Sequence, residues 1–179
     1  MRQLLVKSQI HKFENCTEFS TFFHIREEDL ILTNQFIYEP FMGFLNLSAH
    51  VIYQEKYGAG EPSDEMINKI FHDIKDVKFN RVIAIGGGSV IDIAKLFVIK
   101  DANNTLDLFE KKIPLIKEKE LIIVPTTCGT GSEVTNISIA ELKEKGTKMG
   151  LAVDELYADH AVLIPELVRG LPYKFFVTS

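Results

Sequence analysis

The feature that most constrains this chain is an apolar run, Val82-Ile83-Ala84-Ile85, that breaks into Gly86-Gly87-Gly88-Ser89 and continues as a helical pattern through Val90-Ile91-Asp92-Ile93-Ala94-Lys95. A strand that ends in a tight glycine turn and feeds a helix can seat a phosphate. Without Cβ atoms the backbone N–H groups come close to an anion, and the opening of a helix adds the positive end of its dipole. A second apolar run, Leu121-Ile122-Ile123-Val124-Pro125, delivers another glycine-bearing loop, Thr126-Thr127-Cys128-Gly129-Thr130-Gly131-Ser132-Glu133. Its hydroxyls and amides offer donors to an anion or an amide. Both loops also have a plain structural alternative. In the first, Ser89 caps the helix, Asp92 completes a capping-box-like arrangement, and Lys95 partners Asp92 one turn on. In the second, Thr130 and Glu133 form a capping box for a short helix, leaving Thr126, Thr127 and Ser132 as the better ligand candidates. The glycine run departs from GxGxxG, since its glycines are consecutive and the strand before it is not the first.

The runs around these loops alternate in period. Strand-like segments are expected at 4–6, 29–33, 50–53, 82–85 and 121–124, with a last strand at 161–164. Helical spacing is expected at 18–23, 38–47 and 66–74, the last opened by Ser63-Asp64-Glu65 as cap and acidic first turn. Such alternation predicts an α/β, Rossmann-like, mainly parallel sheet with covering helices, whose loops at the strand C-terminal ends gather at one edge. Beyond Glu133 the pattern changes to a β-hairpin, with Ile137 and Ile139 alternating with polar residues and a turn at Lys143-Glu144-Lys145-Gly146. Residues 1–170 are therefore expected to form a nucleotide-binding domain, and 171–179, apolar and uncapped, to open a further helix of a truncated neighbour.

The chain has 179 residues, 46% of them hydrophobic, which suits one α/β domain with a sizeable core. A net charge of −5 without a basic stripe argues against a nucleic-acid partner. The start is interrupted by Lys7, Ser8, Gln9 and His11, unlike a signal peptide, and no run is long enough to span a membrane, so a cytoplasmic location is expected. Cys16 and Cys128 stand apart without a CxxC pattern, which suits a reducing compartment; Cys128 reads as a small buried residue before a reactive thiol. The histidines at 11, 24, 50, 72 and 160 form no metal-binding spacing, and Asp159-His160 reads as a loop or surface pair. Lys148 on the hairpin is either a cofactor contact or a solvated lysine.

With both loops in view, Gly86-Gly87-Gly88-Ser89-x-x-Asp92-x-x-Lys95 and Pro125-Thr126-Thr127-x-Gly129-Thr130-Gly131-Ser132-Glu133-Val134-Thr135 resemble the two signatures of the iron-containing (group III) alcohol dehydrogenases. The resemblance covers essentially the whole chain, including Gly58-x-Gly60-Glu61-Pro62-Ser63 and Pro165-Glu166-Leu167, and in detail points to the members that interconvert 4-hydroxybutyrate and succinate semialdehyde. It implies a dehydroquinate synthase-like N-terminal domain for NAD(H) or NADP(H). It implies that Gly87, Gly88 and Ser89 hold the pyrophosphate, Thr126 and Thr127 contact the adenosine side, Ser132 lies near the nicotinamide, and Lys148 helps hold a ribose, with Gly86 and Asp92 also among the cofactor-binding residues. Asn34 would stand where relatives often place an Asp facing the adenosine ribose, which leaves NAD and NADP both open. Ile164 stands where relatives often have Asp before Pro-Glu-Leu. The family's divalent metal, iron or zinc, is held by one Asp and three His of a helical domain that would follow Ser179, so this chain alone is expected to bind cofactor without turnover. A non-catalytic nucleotide-binding fragment and a glycerol-type dehydrogenase are the alternatives. An edge left by a missing domain, with 13 Phe in the chain, favours a homo-oligomer.

Overall fold

The computed structural model describes residues 6–169. Six strands form one wholly parallel sheet: β1 (Gln9–Lys12), β2 (Asp29–Thr33), β3 (His50–Tyr53), β4 (Arg81–Gly86), β5 (Glu120–Pro125) and, near the end, β8 (His160–Leu163), in the spatial order β1-β8-β5-β4-β2-β3. Between the last two in sequence, β6 (Ile137–Leu142) and β7 (Thr147–Ala152) make the expected antiparallel hairpin. The sheet is buried on both faces. Alternate residues of the central strands therefore enter two cores: Leu30, Leu32, Val82, Ala84, Leu121 and Ile123 on one side, Ile31, Ile83, Ile85, Ile122 and Val124 on the other. Continuous apolar runs in 82–85 and 121–124 follow from that two-sided burial.

The first core is covered by α3 (Asp64–Ile74), α4 (Gly88–Leu96) and α5 (Thr105–Phe109), the second by α1 (Cys16–Phe22), α2 (Gln35–Met42) and α6 (Pro165–Val168). Helix α3 forms as its sequence predicts: Ser63 Oγ accepts from Met66 N, and Met66, Ile67, Ile70, Phe71 and Ile74 make the buried stripe. Helix α5 lies in a stretch with no expected element; its signal is Asn104, whose Oδ1 accepts from Leu106 N and Asp107 N.

Three expectations change at the ends of elements. The first strand is Gln9–Lys12 and not 4–6: Val6 is coil, and residues 4 and 5 lie outside the described residues, as does the helix expected at 171–179. The apolar content of 4–6 misled, because β1 is an edge strand whose Ile10 is 61% exposed. Helix α4 is capped by Gly87, with Ser89 inside its first turn, so the Ser89–Asp92 capping box does not form. The short helix after the second loop is a 3-10 turn, Ser132–Val134, whose cap is Gly131 in the left-handed region (φ 64°) and not Thr130. A side chain with a Cβ is strained there, so the glycine sets the turn.

Candidate cofactor site

The spatial order of strands reverses between β4 and β2: the chain leaves β4 toward β5 on one side and β2 toward β3 on the other. In open parallel sheets the crevice outside the strand C-termini at such a reversal is where ligands sit. Here that crevice is flanked by the loop 86–89 that opens α4 and by Asn34, which precedes α2.

The three glycines of the first loop do different jobs. A Cβ on Gly86 would stand 2.7 Å from Val90 Cβ, so glycine there is demanded by the close approach of α4 to its own strand. At Gly87 and Gly88 no such demand exists; a Cβ would meet only Thr127 Cγ2 at 3.5 Å and Ser132 Oγ at 3.9 Å, across the space toward the second loop. Their missing side chains keep that space open. The cap residue Gly87 offers no side-chain acceptor to the first amides of α4, so these donors and the helix dipole face the same opening.

The second loop is tied to the first at its root, where Thr126 N donates to Gly86 O at 3.0 Å and the Thr126 side chain is buried. Ser132 Oγ and N both donate to Thr130 Oγ1, at 3.1 and 3.4 Å, which turns the hydroxyls inward on the loop. Beyond it a cavity of about 570 Å³ is lined by Gly88, Ser89, Asp92, Thr130, Ser132 and Lys148, with Glu61 at its rim. The structure thus gathers Gly88, Ser89, Asp92, Ser132 and Lys148 around one space; Gly86, Gly87, Thr126 and Thr127 do not line it, Gly87 facing Thr127 between the two loops. Asn34 lies across the crevice at the start of α2 and does not line the cavity. Cys128, within the second loop, is a half-buried free thiol.

The hairpin closes the cavity from above because α4 holds it with two side chains. Asp92 accepts from Ile139 N at 3.3 Å, while its carbonyl accepts from Ser138 Oγ at 2.7 Å. Lys95 is fully buried beneath the hairpin and donates to Ile137 O at 2.8 Å and Thr135 Oγ1 at 3.2 Å, so it staples the second loop and the hairpin and is not hydrogen-bonded to Asp92 as the sequence suggested. Burial raises the Asp92 carboxyl to about 6, opposed by Lys95 and the Ile139 amide. Burial likewise lowers the Lys95 ammonium to about 8, opposed by Asp92 and Glu133. Sequence reading missed this stapling role, as it missed Gly60, whose carbonyl accepts from Ser89 Oγ at 3.4 Å, and Glu61, the ion-pair partner of Lys148. The glycines of 58–62 marked a loop there without saying what it touches.

Asp159 and His160 do not act as a pair. Asp159 accepts from Lys117 Nζ and Leu121 N, whereas His160 shares a 2.9 Å hydrogen bond with His11 and lies 3.1 Å from Glu120, half-buried at the other end of the sheet. Among the described residues no group of three or more His, Cys, Asp or Glu side chains is arranged to hold a metal ion, and no helix is long and apolar enough to cross a membrane.

A glycine turn and a hydroxyl-bearing loop meet at the strand C-terminal edge of a parallel sheet covered by helices, which is a Rossmann-like α/β fold. The sequence matches the iron-containing alcohol dehydrogenases over residues 14–165, and the chain belongs to that family. It is 60% identical over all 179 residues to a 4-hydroxybutyrate dehydrogenase of Clostridium kluyveri, covering 100% of this chain and 48% of that protein. It is 38% identical over 117 residues to long-chain-alcohol dehydrogenase 1 of Geobacillus thermodenitrificans, 63% of this chain and 29% of that one. In fold it resembles a sulfoacetaldehyde reductase of Bifidobacterium kashiwanohense solved in complex with NAD+, with a TM-score of 0.82 and 20% identity over 98% of this chain and 49% of that chain. The chain spans about half the length of the Clostridium protein and less of the Geobacillus one.

Proposed function

We propose that this chain is the dinucleotide-binding half of an NAD(P)-dependent alcohol dehydrogenase that, as a full-length protein, interconverts 4-hydroxybutyrate and succinate semialdehyde. The observation that carries the reading is the space kept open above Gly87 and Gly88, which nothing in the chain's own packing requires. The pyrophosphate would lie on the α4 amides of Gly88 and Ser89, an anion on a helix N-terminus. Thr126 and Thr127 would border the adenosine side, Ser132 and Asp92 the nicotinamide side, and Lys148, held by Glu61, a ribose hydroxyl. When bound, the nicotinamide accepts or returns the hydride of the alcohol carbon. The residues of this chain bind and orient it; the hairpin, stapled by Lys95, excludes water from one side of the cavity.

The substrate assignment draws on the 60% identity to the Clostridium protein, which runs along the whole chain. The iron or zinc that the reaction would use has no fitting ligand group among the described residues. Its ligands would fall in the part of the Clostridium relative's length that this chain does not span. We place the protein in the cytoplasm and expect it to associate as a homo-oligomer. Calorimetric titration of the purified 179-residue chain with NADH, followed by an assay with NAD+, 4-hydroxybutyrate and added Fe(II) or Zn(II), tests the reading. Saturable binding without turnover is expected. Absence of nucleotide binding overturns the reading, and turnover overturns the need for a further domain.

A further inference from the structure

We propose that Glu55 sets the choice of dinucleotide, accepting a cofactor with a free 2′-hydroxyl on its adenosine ribose and rejecting the 2′-phosphorylated form. The inference rests on the dinucleotide reading above.

The cavity beside α4 lies toward the hairpin, so a dinucleotide anchored on Gly88 and Ser89 extends its adenosine across the reversal point, with one edge of the base toward Thr126 and Thr127 after β5 and the ribose over β2. Thr33 pairs with Ile85 on one side and with Tyr53 on the other, so Asn34 stands level with Gly86, and Gln54 and Glu55 stand one strand further out. Neighbouring strands are about 4.8 Å apart, which puts the end of β3 roughly 10 Å from that of β4, one nucleoside away from the cradle. The connection that begins at Glu55 also returns to the cradle, since Gly60 accepts from Ser89 Oγ.

At that place Glu55 holds a fixed, exposed carboxylate. One oxygen accepts from Gln35 N, the first amide of α2, at 2.6 Å; the other accepts from Asn34 Nδ2 at 2.9 Å. Asn34 Nδ2 also donates to Gln54 Oε1 at 3.2 Å, and Gln54 is itself anchored through Gly58 O and Met66 Sδ. Two donors and a helix N-terminus hold the carboxylate in one orientation. Asn34, neutral in the sequence, is therefore the holder of a negative charge delivered by the next strand. The other charged side chains tied to this edge do not offset it: Glu39 accepts from Tyr53 OH, and the Lys56 ammonium rests over the Tyr53 ring at 4.9 Å. A ribose 2′-hydroxyl can donate to such a carboxylate. A 2′-phosphate meets it with like charge and no donor.

The test is the dissociation constant for NADH and for NADPH, by nucleotide fluorescence, of the wild-type protein and of Glu55→Gln, Glu55→Asp and Glu39→Gln. Wild type is expected to prefer NADH by about tenfold or more, the scale of one like-charge contact near a protein surface. Glu55→Gln should shrink that ratio by about tenfold, chiefly by tightening NADPH, while Glu55→Asp and Glu39→Gln preserve the preference. If wild type binds NADH and the ratio is unchanged in Glu55→Gln, Glu55 is not the determinant and this inference falls while the dinucleotide reading stands. If wild type binds neither nucleotide, the dinucleotide reading falls and takes this one with it.

Discussion

The two ends of the sheet carry cavities of similar size and opposite character. The one at the strand C-termini measures about 570 Å³ and opens onto glycines, hydroxyls and uncapped helix amides. The one at the N-terminal ends measures about 620 Å³ and is rimmed by charges already matched: Lys7 with Asp154, Lys117 with Asp159, and Lys119 with Glu118. Volume does not separate them. What does is the supply of donors without an internal partner, together with glycines that packing does not demand. An anion entering the first cavity meets oriented amides, whereas one entering the second must break ion pairs to be held.

The largest expected effect at the C-terminal end is on binding. Gly88→Val puts a branched side chain into the space facing Ser132 and should weaken NADH binding about a hundredfold or more, with little change in melting temperature. Calorimetry and a thermal melt read both halves. Gly86→Ala should behave in the reverse way, since its Cβ would press on Val90 at 2.7 Å; overpacking of this kind costs ~1–3 kcal/mol of stability, measurable by urea unfolding.

Acid pH separates the two ends by sign. Burial, with His160 adding to it, lowers His11 from 6.5. The unfolded chain then binds this proton first, so stability is fully present above pH 6.5 and falls as pH drops through the window below it. His11→Gln should flatten that decline in urea midpoints measured from pH 7.5 to about 5. Asp92 acts oppositely: with its carboxyl raised from 3.8 to about 6, the folded state binds the proton first, so its contribution is fully present below 3.8 and is lost as pH rises through 6. Across that window Asp92→Asn should lose ground to wild type as pH falls, and a constant gap would contradict the assignment. The smallest effect is expected at Lys148→Ala. Its pair with Glu61 is exposed, and such pairs are worth ~0–1 kcal/mol, so folding should barely change while NADH affinity falls a few-fold.

Much of this was legible in the sequence, and the exceptions share a cause. Strand β2 falls on the expected residues because an interior parallel strand is apolar along its length, the edge strand β3 because His50-Val51-Ile52-Tyr53 is a short β-branched and aromatic run, and α3 is found because its stripe and its cap agree. Both loops were marked by glycine and threonine. Misplaced features are those decided by tertiary contact. The edge strand β1 has no apolar pattern to advertise it, and Ser89 yields the cap to Gly87 because α4 begins two residues earlier against its strand. Lys95 looked like a partner for Asp92 along the helix; the hairpin laid over α4 offered it Ile137 O and Thr135 Oγ1 in place of solvent. Nothing local links Asn34 to Glu55, since their contact is made by the pairing of β2 with β3.

The contrast between the two ends can be read residue by residue in one experiment. In amide-resolved NMR of the labelled protein titrated with NADH, the account predicts saturable shifts at Gly87, Gly88, Ser89, Thr127 and Ser132, with Lys117, Asp159 and His160 unmoved. Shifts centred on those last three, or none at the glycine loop, would contradict it.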